Sequence, residues 1–104
     1  MQGVHSLLGE GNTPDGIYTT NQNEKIAFEL ELSVKAKSRY EQKIRKYISI
    51  IRDHKNNIET FTKVHFMVSS DVTYKYLIQY SKLYKDFFMI EKINISDLKN
   101  GFSI

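Results

Sequence analysis

Apolar and polar residues alternate almost without a break from Lys25 to Ser33, the most regular pattern in the chain. A strand points successive side chains to opposite faces. Ile26, Phe28, Leu30 and Leu32 therefore share one face, and Ala27, Glu29, Glu31 and Ser33 share the other. The β-branched and aromatic run Ile17–Thr20 predicts a shorter strand before it. The polar triplet Asn21-Gln22-Asn23 predicts the turn of a hairpin. Farther on the period changes. Tyr40, Ile44, Tyr47, Ile48 and Ile51 fall at i, i+4, i+7, i+8 and i+11, the apolar stripe of an amphipathic helix. Ser33 or Ser38 can cap its start, and Lys55-Asn56-Asn57 marks its end.

The short apolar run Lys63–Val68 predicts a strand buried on both faces of a parallel sheet. Ser69-Ser70-Asp71 offers a helix cap. Val72, Tyr76, Tyr80, Leu83 and Phe87 then predict a second amphipathic helix, and Phe88–Ile95 a last strand. The glycine-rich first sixteen residues read as loop and turn, with a short strand at Val4–Leu8, and the tail from Ser96 as frayed. Strands alternating with helices place the chain in the α/β class, a layered domain with a mixed sheet. Its 104 residues predict one domain over 1–104. The absence of an obvious first helix leaves two readings open: a fragment of a longer protein, or an N-terminus that differs from relatives.

Charge adds asymmetry to this picture. The net formal charge is only +3, but between Val34 and Lys55 eight basic residues stand against Glu41 and Asp53. Arg39, Lys43 and Lys46 fall on one side of the first helix, apart from its apolar stripe. No apolar run approaches the roughly 18–20 residues that a membrane helix needs, and no secretory signal is read at the N-terminus. The chain has no cysteine, which excludes disulfides and thiolate metal sites and fits a reducing cytoplasm.

Candidate chemistry gathers around the hairpin. Glu29 and Glu31 lie roughly 6–7 Å apart along their face, from the strand rise. Asp15, in the turn Pro14-Asp15-Gly16, leads into the same hairpin. Three carboxylates at one rim of a sheet suit a hard divalent cation. The plainer reading is that Asp15 does turn chemistry, that the glutamates form the solvated face of an edge hairpin, and that the basic helix face is merely hydrated. His65, inside an apolar strand, reads as a satisfied core histidine. His54 suits a helix end, and His5 has no second histidine at metal-ligand spacing. Tyr40 and Tyr47 read as core.

Pro14-Asp15, thirteen intervening residues and then Glu29-Leu30-Glu31 resembles the PD-(D/E)xK nuclease pattern. More narrowly, Pro14-Asp15-Gly16, the strand Glu29–Ser33 and the helix start Lys37-Ser38-Arg39-Tyr40 resemble the replication-relaxation proteins of bacterial plasmids and conjugative elements, over roughly residues 13–95. The resemblance implies a restriction-endonuclease-like mixed sheet (hairpin, helix, strand, helix, strand) flanked by helices. It implies that Asp15, Glu29 and Glu31 hold Mg²⁺ or Mn²⁺. Where the family pattern has a lysine, this chain has Glu31, and Lys35 is the nearest ammonium of the same strand parity.

Read this way, the chain acts on DNA in plasmid or mobile-element replication. Its catalytic set as a metal-dependent endonuclease is Asp15, Glu29, Glu31 and Lys35. Lys37, Arg39, Lys43 and Lys46 then offset the repulsion between carboxylates and DNA phosphates. Two other classes stay open: a non-catalytic DNA-binding or assembly module that retains the fold, and a homodimerisation domain that pairs through the last strand.

Overall fold

In the computed structural model, which describes residues 14–53 and 61–94, four strands form one mixed sheet in the order β1-β2-β3-β4. The elements run β1 (Gly16–Thr19), β2 (Lys25–Glu31), α1 (Lys37–Asp53), β3 (Lys63–Val68), α2 (Asp71–Ser81) and β4 (Phe88–Lys92), with a 3₁₀ segment over Lys82–Phe87. β1 pairs antiparallel with β2, and β2, β3 and β4 run parallel. The hairpin turn works because Asn23 adopts φ 65°, a left-handed conformation that asparagine tolerates. Thr20 and Glu24 close it through a backbone bond of 2.8 Å.

The strand order never reverses, and this decides the layering. Crossovers between parallel strands are right-handed. Two crossovers stepping the same way put both helices on the same face of the sheet. That face carries Ala27, Val64, Phe66, Val68 and Phe88, which are buried in one cluster with Tyr40, Ile44, Tyr47, Ile48 and Ile51 of α1 and Leu77 of α2. All five apolar positions of the α1 stripe are thus core. Rings interlock at its centre. Tyr47 meets Phe61 and Phe66 edge-on, and Phe66 stacks on Phe88.

Among the described residues no helix covers the opposite face. Tyr18, Leu30 and Met89 are exposed there, and Phe28, His65 and Met67 are half-buried. β3 therefore alternates in burial, whereas its apolar composition predicted burial on both sides. His65 is not a core residue. Its Nδ1 lies 3.0 Å from the Tyr18 hydroxyl and its Nε2 3.0 Å from Glu91 Oε1, a polar chain across the open face.

The second helix also departs from expectation. Its buried line is Thr73, Leu77 and Ser81, one position along from the aromatic stripe Val72, Tyr76 and Tyr80. The inner line carries no ring, with Leu77 between the short Thr73 and Ser81, and the aromatic rings pack at its sides. Ser81 folds its hydroxyl back to the Leu77 carbonyl at 2.7 Å, and the helix ends there. The 3₁₀ segment that follows leaves Leu83 89% exposed. Ser70 is the cap, accepting from the amides of Val72 and Thr73. The segments read at Val4–Leu8, Lys55–Asn57 and from Ile95 onward lie outside the described residues, as do His5 and His54.

Candidate functional site

The glutamates of β2 lie on the face that α1 covers. Glu29 is 4% exposed and Glu31 3%, although each is charged and flanked by apolar neighbours. The register explains it. Glu29 pairs with Phe66 and Glu31 with Val68, so both side chains rise from the carboxyl half of the sheet into the space beneath α1. The solvated-edge reading of this face does not describe the molecule.

Buried carboxylates need partners, and α1 and its leading loop supply them. Lys43 Nζ lies 3.3 Å from Glu29 Oε1 and 2.9 Å from Glu31 Oε2. Lys35 Nζ lies 2.7 Å from Glu31 Oε1. The Tyr47 hydroxyl donates to Glu29 Oε2. Lys43 and Tyr47 are one helical turn apart and reach the same carboxylate from adjacent turns. All four carboxylate oxygens are thus bonded to a protein donor.

The two glutamates differ in electrostatics. Burial pushes the Glu29 carboxyl above the ordinary range, the Tyr47 bond and Lys43 only partly offset it, and the nearby charge of Asp15 adds to the rise. Burial acts on Glu31 too, but there the bonds from Lys35 and Lys43 outweigh it and hold the carboxyl below the usual value. Burial would lower Lys43, and its bonds and charge attraction to Glu31 and Glu29 together outweigh that and raise it. Tyr47 is pushed well above its usual value, first by burial and then by the charge of Glu29.

Asp15 stays at the rim and is exposed. Its amide donates to the Phe28 carbonyl at 3.0 Å. Its Oδ2 accepts from the Leu30 amide at 2.7 Å. The side chain takes the next rung of the β1–β2 ladder after the backbone stops supplying one. The proline and aspartate of the turn therefore end the hairpin while placing a third negative charge near Glu29.

The Lys43 ammonium lies between Glu29 and Glu31, and among the described residues no three acidic or histidine side chains converge on a common point. The donor set is filled rather than open.

The basic residues of α1 are divided. Lys43 is half-buried against the glutamates, whereas Arg39 and Lys46 are exposed and have no acidic partner among the described residues. Arg45 is paired with Glu41 at 2.8 Å. Lys37 sits 5.8 Å over the ring of Tyr76. Of the residues singled out in the sequence, the fold brings Glu29, Glu31, Lys35 and Lys43 together, places Asp15 at the edge of that group, and leaves Lys37, Arg39 and Lys46 on the surface.

The sequence pattern hid two participants. Tyr47 belongs to the apolar stripe and reads as core, which its ring is. Lys43 reads as one of a basic trio. The available signal was its place at i−4 from Tyr47, on the border between the basic side and the stripe.

No helix among the described residues is long and apolar enough to cross a membrane. Comparison with family models, curated proteins and solved structures finds no match for this chain.

Proposed function

We propose that the chain is a DNA-binding module, with the exposed basic side of α1 laid against the phosphate backbone. The observation that carries this reading is the division of the helix cations. Glu29 and Glu31 are buried beneath α1 and take up Lys43, while Arg39 and Lys46 are exposed and have no acidic partner among the described residues. They lie two turns apart on the same side of the helix, roughly 10 Å along its axis. Contacts of that kind give affinity and salt dependence without reading sequence. The hairpin, helix, strand, helix, strand order also agrees with the nuclease-like fold that the sequence resembles.

Arg39→Ala with Lys46→Ala tests this. Titrating labelled duplex DNA at a series of salt concentrations should show weaker binding and a salt slope smaller by about 2. Binding that is equally tight and equally salt-sensitive in the double variant would remove α1 from the interface.

A second reading is metal-dependent phosphodiester hydrolysis, favoured by the adjacency of Glu29, Glu31 and the rim carboxylate Asp15. It requires the filled donor set to open. Nicking of supercoiled plasmid in Mg²⁺ or Mn²⁺, lost in Glu29→Gln, would establish it. Intact plasmid together with DNA binding would leave the binding module alone.

A further inference from the structure

Two nearly fully buried carboxylates side by side demand a positive charge at short range. Nature offers two ways to supply it, a metal ion or a side chain. Here the charge comes from α1. We infer that the Lys43 ammonium is a resident cation: it fills, between Glu29 and Glu31, the place a divalent ion would take, and it keeps Mg²⁺ and Mn²⁺ out of the folded protein at this cluster. This goes beyond the DNA-binding proposal and does not depend on it.

Three observations lead there. The first is position: one nitrogen lies within 3.3 Å of both carboxylates, 2.9 Å from one and 3.3 Å from the other. The second is saturation. Lys43 and Tyr47 engage the two oxygens of Glu29, Lys35 and Lys43 engage the two of Glu31, and the Leu30 amide engages Asp15 Oδ2. Mg²⁺ dehydrates reluctantly and demands near-octahedral oxygen ligands. It would have to break several of these bonds at once. The third is charge. Three carboxylates, counting Asp15 at the rim, against Lys35 and Lys43 leave one negative charge, so a divalent ion added without expelling an ammonium leaves an excess of one positive charge beside two buried glutamates.

The same geometry says what removal does. Lys43→Met keeps the packing stem and deletes the charge. Glu29 Oε1 and Glu31 Oε2 then lose their donor and face one another across the vacated position, with Asp15 at the rim. The variant should take up the divalent ion that the natural chain refuses.

The experiment titrates Mn²⁺ alone into the full chain and into Lys43→Met, reading free Mn²⁺ by electron paramagnetic resonance and thermal unfolding in parallel. The natural chain should neither deplete free Mn²⁺ nor melt higher. Lys43→Met should bind at least about tenfold more tightly, on the scale at which groups beside a ligand act, and melt higher in Mn²⁺. Adding Glu29→Gln should cancel both gains. Equal Mn²⁺ binding by the two folded proteins overturns the inference, as does binding by the natural chain that Glu29→Gln abolishes.

Should Lys43→Met fail to fold, the natural chain still decides. Nitrogen-detected NMR should show a Lys43 ammonium in slow exchange with water, unmoved by millimolar Mg²⁺. An ammonium that exchanges freely, or that Mg²⁺ displaces, overturns it. A chain that passes these tests without binding DNA would sink only the functional proposal.

Discussion

Leu30 and Glu31 are consecutive in β2 and point to opposite faces of the sheet. The leucine is 37% exposed and the glutamate 3%. By polarity alone the two should trade places. They do not, because burial here follows topology. Both crossover helices lie on the odd-numbered face of β2, so that face is the interior whatever it carries. The open face buries Ile26 but leaves Phe28, Leu30, Met67 and Met89 partly or largely exposed, and it ties its polar residues in a loose chain, Tyr18 to His65 to Glu91. The covered face must neutralise its charges on the spot. A buried ionic group is strongly destabilised by losing one partner, whereas an exposed pair contributes little. The two sides of one sheet therefore differ in how much a single side chain matters.

The sharpest test of that contrast is a pair of substitutions at adjacent positions. Glu31→Gln leaves Lys35 and Lys43 facing a neutral group and should cost about 3 kcal/mol in urea unfolding. Leu30→Gln should stay within about 0.5 kcal/mol. Equal costs would show that something covers the open face and would break the comparison. Tyr47→Phe keeps the ring and removes only the bond to Glu29. It should cost about 1–2 kcal/mol and move the Glu29 carboxyl titration, followed by ¹³C NMR, to higher pH.

The pH dependence separates the glutamates from each other. The Glu29 carboxyl is raised in the folded state, so its contribution is present below the unfolded value of about 4.3 and is lost as pH rises through the folded value. Glu31 is lowered, so its contribution is present above that value and is lost as pH falls through the folded one. Urea midpoints measured against pH should therefore lose their alkaline-going decline in Glu29→Gln and part of their acid-going decline in Glu31→Gln. The smallest effect belongs to the open face. Glu91 is more than half exposed, and Glu91→Gln should lower stability by less than about 1 kcal/mol, with the remaining difference screened by salt.

Periodicity made the strands and the first helix legible. Lys63–Val68 is a strand with the bounds that its composition suggested, and Tyr40, Ile44, Tyr47, Ile48 and Ile51 are all core. Periodicity failed at α2, where large aromatic residues outweigh small ones in any apolar stripe. The helix there turns Thr73, Leu77 and Ser81 inward, and its rings pack around the sides. The candidate site was half legible. Alternation placed Glu29 and Glu31 on one face, but their burial depends on the hand of the β2–α1–β3 crossover, a property of space and not of spacing. The pairing of Lys43 with both glutamates follows from the same crossover. No count along a single helix could show it, because its partners lie twelve and fourteen residues back in the chain.

The hydroxyl of Tyr40 accepts from the Lys35 amide at 2.8 Å and meets Thr73 Oγ1 at 2.9 Å in the interior. One phenol thus clips the short connection entering α1 to the first turn of α2. That connector should resist deuterium uptake like an interior strand, and Tyr40→Phe should release the Lys35 amide to solvent while leaving the hairpin amides slow. A segment that looks like a simple linker would then be the hinge pin that sets the angle at which the cationic helix meets its neighbour.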